Sequence, residues 1–328
     1  MGELLSLAGQ NLLTPMILSF ALGLFAAIAR SDLSVPEAAA KMMSLYLLFA
    51  IGFKGGVAVA GHGLDRHLIA ALLSGIALSF LIPLLAFGLL RAMTRLSSLD
   101  AAAVAAHYGS ISIVTFVTAS TVLSSQGIAA EGYMVAVAAA MEAPAIVSAM
   151  WLAARGSGNA GQVRMDARLW HEILLNGSIV LLVGAFLIGA VTGEAGLARI
   201  DALVVAPFQG VLCLFLLDMG IVAGRGLRTA RNVISFGVLS FGIVMPIVGA
   251  VLGLGVAMLI GLSAGGAALM MTLAASASYI AVPAAMRVAL PEANPSISLT
   301  LALGITFPFN LTFGIPAYTA IAQALIGA

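Results

Sequence analysis

Long apolar runs follow one another along nearly the whole chain, each closed by a short cluster of charged, glycine or proline residues. At 1.5 Å rise per residue, roughly 20 apolar residues cross a hydrocarbon core. The pattern predicts ten transmembrane helices, at 13–29, 42–60, 67–90, 101–123, 132–154, 170–191, 203–223, 233–258, 265–289 and 296–326. Two of these runs are interrupted. The fourth carries the polar, glycine-containing segment from His107 to Thr115, and the ninth carries Ala275 to Pro283. A plain membrane span has no reason to place glycine and hydroxyl residues at mid-depth, so both helices are expected to break there. The tenth run is long enough to tilt or to break at Pro308.

The one long hydrophilic stretch, Arg155 to Arg168, reads as a linker between halves. The predicted organisation is a first five-helix repeat over 1–154, a cytoplasmic linker over 155–169 and a second five-helix repeat over 170–328. Sequence matches between the halves recur at an offset of 163: Gly61 with Gly224, Gly63 with Gly226, Leu64 with Leu227, Pro83 with Pro246 and Leu99 with Leu262. Five spans per repeat is an odd number, so the second copy enters the membrane inverted. Inverted repeats are a signature of secondary transporters, whose site lies near the midplane where the repeats meet. This offset sets Gly109 beside Thr272 and Thr115 beside Ser278, so the two interruptions fall at equivalent depth.

Charge gives the orientation. Ten spans place both termini on one side, where the loops carry only Arg66 and Arg199. The other side carries Arg30, Lys41, Arg91, Arg95, Arg155, Arg164, Arg168, Arg225, Arg228, Arg231 and Arg287, 11 basic residues against 2. The positive-inside rule then puts the linker in the cytoplasm and both termini outside, as expected of a multi-pass protein of the bacterial inner (plasma) membrane.

Composition supports a polytopic helical membrane protein: 62% of residues are hydrophobic and 8% charged, far below the roughly 25% of a soluble domain. The runs do not alternate as barrel strands do. A net charge of +1 excludes a strongly basic nucleic-acid binder, and the single cysteine, Cys213, forms no intrachain disulfide. Met1 to Thr14 has neither a basic leading region nor a small-residue cleavage site, so no cleaved signal peptide is expected. Glu3 to Gln10 fits a short interfacial helix.

The candidate site follows from the breaks. A broken helix presents N–H groups at one end, which suit an anion, and carbonyls at the other, which suit sodium. Gly109, Ser110, Ser112, Thr115, Ser276 and Ser278 are the predicted substrate-binding residues, with Thr115, Ser276 and Ser278 as sodium ligands. The plainer alternative is that small residues merely let helices pack closely. Ionisable or amide groups inside spans add His107, Glu142, Tyr279 and Asn310 as ion-coupling candidates. Asp218 marks an interface, and Lys54, several residues from the outer end of its span, is placed to snorkel. Metal-protease, cysteine-cluster, nucleophile-elbow and phosphate-loop signatures are all absent, which predicts a protein that is not an enzyme and needs no cofactor.

His107-Tyr-Gly-Ser-Ile-Ser with Thr115, Met141-Glu-Ala-Pro144, Ala275-Ser-Ala-Ser278 before Pro283, and Ala293-Asn-Pro295-Ser296 before Pro308 and Ile315-Pro316 resemble the sodium-dependent bicarbonate transporter family. The similarity runs in order over nearly the whole chain. It implies a ten-helix inverted-repeat fold with core and gate domains, a homotrimer, and sodium-coupled bicarbonate uptake by an elevator-like motion. It also implies a soluble PII-like protein as candidate regulator at the cytoplasmic face. The chain departs from the cyanobacterial members in carrying Tyr279 where they carry an aspartate, and a short basic linker in place of a large acidic insertion. The expected function is sodium-coupled uptake of bicarbonate or a similar small anion. A proton-coupled carrier of a small organic anion is the alternative, and a non-transporting membrane sensor or scaffold ranks below both.

Overall fold

Hydroxyl side chains mark where helices begin. Thr14 accepts from the Ile17 N–H and hands over to proline at the start of α1 (Pro15–Ile28), where a missing N–H costs nothing. Ser97 caps α4 (Ser98–Gly109), Ser235 caps α10 (Phe236–Ile260) and Ser263 caps α11 (Ala264–Ala275). The other helices are α2 (Glu37–His62), α3 (Arg66–Met93), α5 (Ile113–Ser125), α6 (Met134–Ala140), α7 (Pro144–Gly156), α8 (Gly177–Val204), α9 (Phe208–Thr229), α12 (Ala281–Ala289) and α13 (Pro295–Ile326). The structure, a computed structural model, describes residues 14–62, 66–156, 175, 177–229 and 235–327. The expected interfacial helix at 3–10, the body of the linker at 155–169, the start of the sixth span at 170 and Arg231 lie outside the described residues.

Among the described residues, eight stretches are long and apolar enough to cross a membrane, with α4–α5 and α6–α7 each counted as one. α1 and α11 are shorter apolar helices. The protein is therefore an all-helical, multi-pass membrane protein.

The helices form two layers. In the first, α8 lies along α2 and α9 along α1. Gly52 and Gly56, one helical turn apart on α2, let the backbone of α8 come against them: the carbonyls of Leu182 and Phe186 occupy the space a Cβ would take. The second layer gathers α3, α4, α7, α10, α11 and α13. The most apolar window of α4–α5 is wholly buried, whereas only 17% of the corresponding window of α8 is. The broken helix is thus the centre of the bundle and α8 its lipid-facing edge.

Two acidic clasps close the central helices at opposite faces. On the face where α7 ends and α8 begins, the linker face, Asp100 accepts from the Asn294 N–H at 2.9 Å, just ahead of α13. On the face where α1 begins and α13 ends, the terminal face, Glu131 accepts from the Ser263 N–H at 2.7 Å and from its hydroxyl at 2.9 Å. Each acid thereby neutralises orphan donors at a helix start.

Several boundaries differ from the sequence reading. The fifth span is itself interrupted by a turn at 141–143, between α6 and α7. The sixth continues to Val204 through a kink at Gly193 (φ 58°, ψ −156°), so residues predicted to form a loop are helical. The tenth does not break at Pro308. It stays continuous because π-helical turns at Thr300–Thr306 and Asn310–Gly314 flank the proline and absorb its missing N–H. The offset of 163 does not carry into the breaks either. Ser97 and Ser263 start the two broken helices, and Ser110 and Ser276 end their first halves, at φ −82°, ψ 164° and φ −86°, ψ 164°. Equivalent positions there lie 166 apart, which pairs Ser112 with Ser278 and Gly109 with Ala275.

Candidate functional site

α4 runs inward from the linker face and stops at Gly109; α11 runs inward from the terminal face and stops at Ala275. Both stops are extended residues, Ser110 and Ser276, and the two chains cross there. The crossing is held by backbone exchange. The Ser278 N–H donates to the His107 carbonyl at 2.7 Å, and His107 Nδ1 returns a bond to the Ser278 carbonyl at 2.6 Å. The Ser112 N–H donates to Ser276 Oγ at 2.9 Å, whose own proton goes to the Leu273 carbonyl.

These bonds sort the hydroxyls chemically. Ser112 Oγ accepts from both the N–H and the hydroxyl of Thr115, at 3.2 and 2.9 Å. What Ser112 can still offer is its proton, which suits an anion. Thr115 has spent its proton and offers lone pairs, which suit a cation, and Ser276 is left with one free lone pair. Ser278 lines a void of about 10 Å³ with Ile111, Ser112, Ile113, Glu142, Tyr279 and Ile280. Beyond it α12 begins without any side-chain cap.

Three buried side-chain oxygens lack a well-formed hydrogen bond among the described residues: Ser110 Oγ, Glu142 Oε2 and the Tyr279 hydroxyl, the last facing Ser112 outside good bonding geometry. Each belongs to one of the three interrupted helices, and two of them line the void. Unsatisfied polar groups cost of order 1–3 kcal/mol each, more for a charge. Two of them at one void mark it as unlike the rest of the bundle.

The structure brings together Ser110, Ser112, Thr115, Ser276, Ser278, His107, Glu142 and Tyr279. Two other candidates have different work. Gly109 is a packing position: a Cβ there would collide with the Pro83 ring and approach Ala145 at 2.8 Å. Asn310 is engaged at both ends of its amide, its Nδ2 donating to the Ala275 carbonyl and its Oδ1 accepting from Tyr318, both at 2.9 Å. It secures the freed carbonyl end of α11. Tyr279 packs edge-on against Phe307, ring centroids 5.5 Å apart, and Phe307 in turn meets Phe20 of the first layer.

Supporting residues escaped the sequence reading. Ser79 on α3 donates to the Met141 carbonyl at 2.6 Å and accepts from the Ala145 N–H at 3.1 Å, bridging the third break. Tyr108 donates to Thr306 at 2.6 Å, and Thr306 to the Gly242 carbonyl at 2.8 Å. Lone hydroxyls in apolar helices give no sequence signal of such partners.

A profile of the Na+-dependent bicarbonate transporter superfamily matches residues 15–323. The chain belongs to that superfamily. A search of curated proteins finds no match. Membership implies a transported anion, sodium dependence and a lipid bilayer, in keeping with the apolar helices. Oxygen donors of the kind gathered at the crossing are those a hard alkali cation takes.

Proposed function

We propose that the crossing binds a small anion together with sodium, and that the chain is a sodium-coupled importer of bicarbonate or a similar small anion. The observation that carries this reading is the pair of unpartnered oxygens, of Glu142 and Tyr279, at one void lined by Ser112 and Ser278 of the paired breaks. In this reading the anion takes the Ser112 proton and the uncapped amides of α12. Sodium takes Glu142, Thr115, Ser276 and Ser278. Glu142 thereby supplies the carboxylate that Tyr279 does not. Loading both ions leaves the buried site closer to neutral than either ion alone, so it can move at lower cost.

The division into layers supports an elevator-like motion, in which the layer holding the crossing slides past α1, α2, α8 and α9. Counting α1 and the α11–α12 pair as spans gives ten crossings in two inverted repeats, and the basic residues then place the linker face in the cytoplasm. Assembly as a homotrimer and control by a PII-like protein at the linker face belong to the same proposal.

Binding of labelled sodium to purified protein tests the assignment. Glu142→Gln is expected to abolish bicarbonate-stimulated sodium binding while the protein stays monodisperse. Unchanged sodium binding would overturn the role given to Glu142. The same orphaned oxygen suits a proton, which makes a proton-coupled carrier of a small organic anion the second reading. Uptake driven by a pH gradient and indifferent to sodium would select it.

A further inference from the structure

A cavity of about 560 Å³ lies between the two layers on the terminal side of the crossing. One wall is Lys54 of α2 with Phe208 and Gln209 of α9; the facing wall includes Phe116, Ser120 and Thr121 of α5. A second cavity, about 410 Å³, shares Ala58, Glu131 and Gly132 with the first and extends to His67 and Ser263, at helix starts on the terminal face. The two adjoin across these shared residues and together make up a vestibule. Its deep end, at Phe116, is one helical turn along α5 from Ser112.

Lys54 is a basic residue set well within a span, and its exposed side chain lines this vestibule. Snorkelling does not account for it. Lys54 lies eight residues before the end of α2 at His62, about 12 Å of helix and beyond the reach of its stem. Its Nζ rests 4.8 Å from the Phe208 ring centroid, a contact that positions the ammonium without neutralising it. No carboxylate pairs with it among the described residues. Glu131 lines the same vestibule toward the terminal face, where its carboxylate keeps its charge while accepting from the Ser263 N–H and hydroxyl. An unpaired ammonium inside a span is costly, and such a residue by default marks an ion pathway.

We propose that the Lys54 vestibule is a separate docking site for a small hydrated monovalent anion, which it captures before the anion reaches the broken helices. This rests on the reading that the protein takes up an anion from the terminal face. The anion is held locally, at the ammonium beside Phe208, where low-dielectric walls strengthen the contact, with Glu131 nearer the Ser263 end. Because Lys54 and Phe208 sit on α2 and α9 of one layer and Ser120 and Thr121 on α5, which packs on α11 of the other, the site spans the boundary between them.

Two arms test the proposal. In proteoliposomes, Lys54→Gln is expected to raise the KM for bicarbonate about tenfold, as loss of one charge-assisted contact does, with a much smaller change in Vmax. Lys54→Arg should recover most of the loss. In the second arm, Lys54→Cys is made in a Cys213→Ala background and treated from outside with membrane-impermeant methanethiosulfonate reagents. A cationic reagent should restore the KM and an anionic one should not, and bicarbonate should slow the labelling. A KM for Lys54→Gln within about twofold of wild type, or labelling indifferent to bicarbonate, would overturn the site. Wild-type protein that shows no uptake but whose Lys54→Cys variant is protected by bicarbonate would keep the docking site and remove the transport reading.

Discussion

His107 and Ser278 bind each other twice: the Ser278 N–H meets the His107 carbonyl at 2.7 Å, and His107 Nδ1 meets the Ser278 carbonyl at 2.6 Å. The pair joins the ends of two helices that enter from opposite faces, and both residues are almost fully buried. A histidine bonded in this way is a strut. Its ring fixes the carbonyl that closes one side of the void.

His107→Ala leaves the Ser278 carbonyl without its side-chain partner inside the bundle. The expected cost is about 1–3 kcal/mol of stability, read as a lower melting temperature in detergent. Sodium affinity should fall as well, because the Ser278 segment is no longer held. A variant with wild-type melting and wild-type sodium affinity would contradict the strut role.

Gly109→Ala places a methyl group where the Pro83 ring already sits. Overpacking of this kind costs roughly 1–3 kcal/mol, and here it pushes the break away from α3. Uptake should fall sharply. A second substitution, Pro83→Ala, should recover part of the loss, since it removes the atoms responsible. Non-additivity between the two is the readout that separates this packing role from ligand binding.

The interrupted fourth and ninth helices were legible because glycine, serine and proline stand out in apolar runs. The break in the fifth was not, since Met141, Glu142 and Ala143 contain no glycine and only Pro144 hints at a turn. At Pro308 the sequence allows a tilt or a break: two π-helical stretches absorb the proline, and no sequence signal distinguishes absorption from a break. The offset of 163 aligns Pro83 with Pro246, yet the paired serines at the breaks lie 166 apart. Sequence matches and structural equivalence therefore differ by nearly one turn. The polar residues that meet at the crossing stand out in the sequence as hydroxyls in apolar runs. Which of them bind each other, and which are left unpartnered, depends on two segments crossing in space, and that is not written along the chain.

Asn310→Ala removes the donor to the Ala275 carbonyl and the acceptor for the Tyr318 hydroxyl. Two buried groups lose their partners, so the loss should exceed that of Tyr318→Phe, which leaves only the Asn310 oxygen short of one bond. Expected destabilisation is about 2–4 kcal/mol for the first and about 1 kcal/mol for the second. Thermal melting of both variants checks the order. Equal effects would mean that Asn310 does not hold the end of α11.

Ser112 and Thr115 are predicted to split by ion. Ser112→Ala removes the proton offered to the anion and should raise the KM for bicarbonate more than the half-saturating sodium concentration. Thr115→Val removes the lone pairs offered to sodium and should do the reverse. Uptake titrated separately in each ion distinguishes the two, and a shared, equal effect would contradict the division of the site.

The central claim is that sodium and a small anion move together through the crossing. Labelled bicarbonate uptake into proteoliposomes, with and without an inward sodium gradient, tests it most directly. Accumulation above equilibrium that requires the gradient, and is lost in Glu142→Gln, is the predicted result. Accumulation that is independent of sodium, or that survives Glu142→Gln with its sodium dependence unchanged, would contradict it.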